Sequence, residues 1–136
     1  MNRNNIEFLL PSAVKLIRRD LAKNEQAVES KYFGYINALG GTVTHAGLLQ
    51  ALYWYTRTSD NEERKKIGDM VAELLQIREK LERKEELIPA IEKYYAEKDS
   101  RQILIWRNRV LEAGVALKLA LRLFHKIKEK DEEHGD

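Results

Sequence analysis

From Val43 to Tyr55 the chain reads VTHAGLLQALYWY, which is apolar on nearly every face when wound at about 3.6 residues per turn. A helix of that kind is stable only when other helices cover more than one of its sides, so the segment demands a helical core. Val43, Ala46, Gly47, Gln50, Tyr53 and Trp54 share one side, and Leu48, Leu52 and Tyr55 cover another. On this reading Gln50 lies on an apolar face, where an unpartnered amide would cost about 1–3 kcal/mol. Gly47 reads as a close-packing position, because glycine inside a helix costs about 1 kcal/mol against alanine unless helix approach offsets it. The preceding pair Gly40-Gly41 reads as the break between this helix and the one before it.

The rest of the chain keeps the same four-residue spacing. With two prolines and no alternating pattern, it predicts an all-α fold, a compact bundle of five or six helices. The first helix is expected from Asn4 or Asn5, with Glu7 closing a capping box on Asn4. Ile6, Leu10, Ala13, Ile17 and Leu21 line its apolar face, and Pro11 marks a kink or a later start. Asn24 is placed to cap a second helix carrying Val28, Tyr32, Tyr35 and Leu39. Ser59 with Glu62 opens a fourth helix carrying Ile67, Met70, Val71, Leu74, Ile77 and Leu81. After the polar break at Lys84, Glu85 and Glu86, Pro89 suits the first turn of a short fifth helix through Tyr95. Asp99 with Gln102 caps the last helix, whose seam is Ile103, Trp106, Val110, Gly114, Leu117, Leu121 and Phe124. A second seam, Leu104, Leu111, Val115 and Leu119, makes this helix central or gives it a side for a partner protein. The third and last helices are expected at the centre. Residues 1–136 read as a single domain, with a charged tail that frays from Lys126.

Charge does not decide the function by its total, since 24 basic residues stand against 22 acidic ones. The absence of cysteine excludes a disulfide framework and a thiolate metal site. No run approaches the roughly 18 apolar residues of a membrane span, and the start MNRNNIEFLLPSA lacks the form of a secretory signal, so a cytoplasmic protein is expected. His45, His125 and His134 have no His or Glu partner at metal-binding spacing. Arg122 precedes His125 too closely for the pattern of the HEPN ribonucleases, and no Lys-Ser or Lys-Thr follows Gly40-Gly41 to make a phosphate loop. No enzyme activity, metal or cofactor is expected.

Basic positions are more informative. Lys15, Arg18 and Arg19 cluster opposite the apolar face of the first helix. Arg107, Lys118 and Arg122 fall within about a third of a turn on the last, where Arg101 and Arg109 add charge. Should those two helices lie side by side, their outer faces form a basic strip suited to a sugar-phosphate backbone. Arg64 and Lys65, among acids at the start of the fourth helix, read as solvated. Tyr53, Trp54, Tyr55 and Trp106 have the chemistry to stack bases, although their positions on apolar stripes favour the core.

The order Lys31-Tyr32, Leu39, Val43, Gly47-Leu48, Gln50, Leu52 and Trp54 resembles, without a gap, the signature of a CRISPR family: the small all-helical subunit of type III-B Cmr complexes, the fifth Cmr protein. Leu121, Arg122 and Phe124 resemble the end of that family's terminal helix. Gly40 stands where the family often has proline, and Ala46 where it often has asparagine. The resemblance implies a noncatalytic subunit of an RNA-guided RNA-silencing complex of antiviral defence. Its copies would stack beside the subunits that hold the guide, with other Cmr subunits, further copies, target RNA and the guide–target duplex as partners. Guide pairing reads the sequence in such systems, so backbone contacts through Lys15, Arg18, Arg19, Arg101, Arg107, Arg109, Lys118 and Arg122 suffice. The rival reading is a helical adaptor that binds only protein, through Leu104, Leu111, Val115 and Leu119.

Overall fold

The computed structural model describes residues 1–24, 26–57 and 61–128. Six α-helices run in the order α1 Arg3–Asp20, α2 Ser30–Ala46, α3 Leu48–Thr56, α4 Glu62–Glu79, α5 Leu87–Ala96 and α6 Ser100–Leu121. Two short strands, β1 Ala27–Glu29 and β2 His125–Ile127, complete the described elements. The all-α expectation therefore holds. Short polar side chains start three of the helices by accepting backbone N–H bonds left open in the first turn: Asn2 from Asn4, Asn61 from Arg64, and Asp99 from Gln102. The first of these caps lies ahead of Asn4, and α1 continues unbroken through Pro11. Ser59 falls outside the described residues, and Asn61 caps α4.

The boundary between α2 and α3 differs from the sequence expectation. Helix α2 runs through Gly40 and Gly41 to Ala46, and the chain breaks at Gly47, whose backbone stands at φ +93° and ψ 160°. That region of backbone space is essentially reserved for glycine. A Cβ at Gly47 would meet nothing within 4 Å, so the residue serves the turn and not close packing. Gly47→Ala and Gly47→Leu are therefore expected to destabilise alike, by about 1–3 kcal/mol each through strain alone. Urea unfolding of the two variants checks this, and a leucine variant much worse than the alanine one would restore overpacking as the cause. Because α3 begins only at Leu48, Gln50 is exposed, contrary to its expected burial.

Helices α4 and α6 form the centre. Helix α6 packs on α1, α2, α4 and α5, and α4 touches every other helix. Helix α3 was expected at the centre with α6, but it lies at the side against α2, α4 and α5 because it is only 9 residues long. Leu9, Ile17, Ile36, Leu39, Ile67, Met70, Leu74, Val110 and Leu117 are among the side chains that fill the space between these helices. On α4, Ile77 is exposed and Leu81 lies past the helix end, so the stripe read from the sequence stops at Leu74. Two glycines permit the closest approaches. A Cβ at Gly68 would overlap the carbonyl oxygen of Tyr55 and lie 2.7 Å from its carbonyl carbon, and one at Gly114 would lie 3.0 Å from Leu39 Cδ2.

One carboxylate sits inside this apolar packing. Glu112 is 3% exposed, and it accepts hydrogen bonds from Arg78 Nη1 (2.5 Å), the backbone N–H of Asn2 (2.7 Å) and Asn5 Nδ2 (3.3 Å). Arg78 also pairs with Glu79 at 3.3 Å, and Glu79 with Arg109 at 3.0 Å. A charge-assisted network thus ties the start of α1 and the end of α4 to the middle of α6.

Strands β1 and β2 pair in parallel, with Ala27 opposite His125 and Glu29 opposite Ile127. Val28 is buried in this ladder and not on α2, and Asn24 occupies a left-handed turn at φ +52° in place of a helix cap. The ladder also orders Lys126 and Ile127, the first residues of the expected fraying tail. Residues 129–136 of that tail lie outside the described residues.

Candidate nucleic-acid interface

Helices α1 and α6 do lie side by side. Asn2 and Asn5 reach Glu112 midway along α6, and the Arg18 guanidinium stands 5.8 Å from the centre of the Phe124 ring just beyond its end. The two helices therefore run in the same direction, and the last turns of both come to one end of the molecule. The stripe Leu9, Ala13, Leu16 and Ile17 explains why: it buries one side of α1 and leaves Lys15 and Arg18 outward.

The eight predicted cations divide into three groups. Lys15, Arg18, Lys118 and Arg122 are exposed near the shared end, and none has an acidic partner among the described residues. Lys118 opens toward α2, where it borders a groove with Asn37 and Thr44. Arg101 and Arg107 lie on the first half of α6, before the level at which α1 begins, so they are separate from the α1 cations. Arg19 and Arg109 are committed to carboxylates. Arg19 donates to Asp20 and Glu73, each at 2.7 Å, and those bonds hold its pKa above the ordinary guanidinium value. Arg109 pairs with Glu79 and lies 4.9 Å from the centre of the Trp106 ring. Lys126, missed in the sequence because it was assigned to the tail, is exposed at the same end and lies 5.6 Å from the centre of the Phe33 ring. The Lys126-Ile127-Lys128 spacing offered no signal for that placement.

Arg64 corrects the sequence reading most sharply. It is 7% exposed, its Nε donates to the Trp54 carbonyl at 2.8 Å, and its guanidinium stacks 3.7 Å from the Trp54 ring centre. Its role is to join α3 to α4. Among the aromatic residues Tyr55 and Trp106 are buried, whereas Tyr53 is half-buried and Trp54 exposed. In the second seam of α6, Leu104 is exposed, while Leu111, Val115 and Leu119 are half-buried. Among the described residues no group of His, Cys, Asp or Glu could hold a metal ion, and no helix is long and apolar enough to cross a membrane.

The sequence matches the family described as CRISPR-associated protein (Cas_Cmr5) from residue 11 to residue 120, a span that reaches from α1 almost to the end of α6. The chain belongs to the Cas_Cmr5 family. No curated protein and no solved structure matches it. Membership makes it a CRISPR-associated subunit and implies association with other Cmr proteins. Lys15, Arg18 and Lys118 fall inside the Cas_Cmr5 span, and Arg122 lies just past it.

Proposed function

We propose that this Cas_Cmr5 chain is a noncatalytic small subunit of a type III-B RNA-guided RNA-silencing complex in the cytoplasm. Its copies stack beside the guide-holding subunits, and it touches the target strand through Lys15, Arg18, Lys118 and Arg122. The observation that carries the reading is the set of four outward cations without acidic partners, gathered where α1 and α6 end together. Such a patch suits phosphates and needs no base-reading side chain. Arg101 and Arg107 stand apart from it on the first half of α6, whereas Arg19 and Arg109 are held by carboxylates.

Replacing Arg18 and Arg122 together by glutamine is expected to weaken binding to unrelated single-stranded RNAs equally. The slope of log affinity against log salt should flatten by about 0.7 per lost phosphate contact. The matched control is Arg83→Gln with Lys93→Gln, both exposed near α5 and without acidic partners among the described residues. Equal weakening in the control, or loss of complex assembly with RNA affinity intact, overturns the reading. The second outcome favours a protein-only adaptor, for which the exposed Leu104 supplies the docking residue.

A further inference from the structure

A concavity lies away from these cations, where α3 faces the end of α5. It measures about 620 Å³, within the range of small-molecule sites, and its walls include Gln50, Tyr53, Trp54, Arg57 and Tyr95. Its position follows from the break at Gly47, which turns α3 so that Gln50 and Trp54, one turn apart, face outward. We propose that this concavity binds one unpaired nucleotide of a single-stranded RNA, with the base stacked on its aromatic walls and the phosphate at Arg57. The inference rests on the reading of the chain as an RNA-contacting subunit and gives that contact a second site.

Three observations carry it. First, Tyr53 and Arg57 are held by contacts of their own. The Tyr53 hydroxyl donates to Glu92, and the Arg57 guanidinium lies 4.5 Å from the Tyr53 ring centre. Second, Arg57 keeps donors for an anion, because its approach to Glu92 is 3.7 Å, longer than a hydrogen bond. An adjoining concavity of about 500 Å³ shares Arg57 and is bordered by Lys65 and Lys84 as well as Asp69 and Glu85.

Third, Trp54 is 51% exposed although Arg64 covers one of its faces. Arg64 is not part of the pocket wall. Its positive charge draws π density toward the covered face, which disfavours a second cation on the ring and favours a neutral, electron-rich base. Gln50 adds an amide that can donate to or accept from a base edge. Stacking tolerates any base, as a subunit that does not read sequence requires.

The test uses the unsubstituted protein and its own tryptophan fluorescence. Trp106 is 6% exposed, so a change on titration reports Trp54. A short oligoadenylate is expected to quench saturably, and an abasic oligomer of equal length and charge to bind about five- to a hundredfold more weakly. Arg57→Gln and Tyr95→Leu should each weaken the oligoadenylate response. Equal affinity for the two oligomers, or unchanged fluorescence at saturating RNA, overturns the site. If Arg18→Gln with Arg122→Gln then still lowers affinity for both oligomers, the α1–α6 patch stands alone. If neither oligomer binds, both assignments fall. Quenching by a proline- and tyrosine-rich peptide but not by RNA would make the concavity a protein-docking site and would also overturn the proposal.

Discussion

Gly68→Ala is expected to lower stability by about 3 kcal/mol or more, at the upper end of what overpacking costs. The added methyl would overlap the Tyr55 carbonyl oxygen and lie 2.8 Å from Thr56 Cγ2. Both groups belong to the end of α3, and the nearest atoms are backbone, so movement of a flexible side chain cannot relieve the overlap. Gly41→Ala supplies the opposite sign in the same experiment. Gly41 is exposed inside α2 with nothing within 4 Å of its Cβ, so alanine there should stabilise by about 0.5–1 kcal/mol. Urea midpoints of the two variants check both signs. A Gly68→Ala midpoint equal to wild type would mean that α3 and α4 do not approach so closely.

Glu112→Ala should cost about 2–4 kcal/mol. Breaking a fully dry pair costs about 3–5 kcal/mol, and the Arg78 side chain retains 17% exposure, which lowers the figure. The loss arises because the arginine keeps only Glu79 and loses the closer of its two anions, while the Asn2 N–H loses its acceptor. Removing both charges, as Arg78→Met with Glu112→Leu, should recover much of that loss. A double variant no more stable than Glu112→Ala would show that the carboxylate acts mainly through Asn2 and Asn5.

Most of this architecture could be read from the sequence where burial and spacing agree. The seam of α6 from Trp106 to Leu121, the Asp99 cap and the limits of α5 were legible because each combined a periodic apolar stripe with a polar stop, although Phe124 lies past the helix end. The α2–α3 boundary was misplaced because two adjacent glycines are a louder signal than one. A quieter signal lay in the stripe Tyr32, Ile36, Leu39 and Val43, which crosses Gly40-Gly41 in helical phase and slips at Leu48, five residues on. Strands of 3 residues are too short to show alternation, so the β1–β2 ladder left no trace.

The outward placement of basic side chains on α1 and α6 was legible in the sequence, and their ion pairs were not. Spacing put Lys15, Arg18 and Arg122 on outward faces correctly. It could not reveal that Arg19 and Arg109 reach acids on α4, since those pairs join residues 54 and 30 positions apart. Arg64 misled because its neighbours in sequence are charged, whereas its neighbours in space are the ring and carbonyl of Trp54.

The pairing of α1 with α6 also sets the timing of biogenesis. On a translating ribosome α1 emerges before the other five helices, yet the helix that covers Leu9, Ala13, Leu16 and Ile17 starts at Ser100. At about 5–20 residues per second, α1 waits on the order of 5–20 s for its partner. An 18-residue helix is only marginally stable in water on its own, so during that interval its apolar face is available to holdase chaperones. Nor can the β1–β2 ladder close until Ile127 has left the exit tunnel, so the fold is sealed only after all six helices have been made.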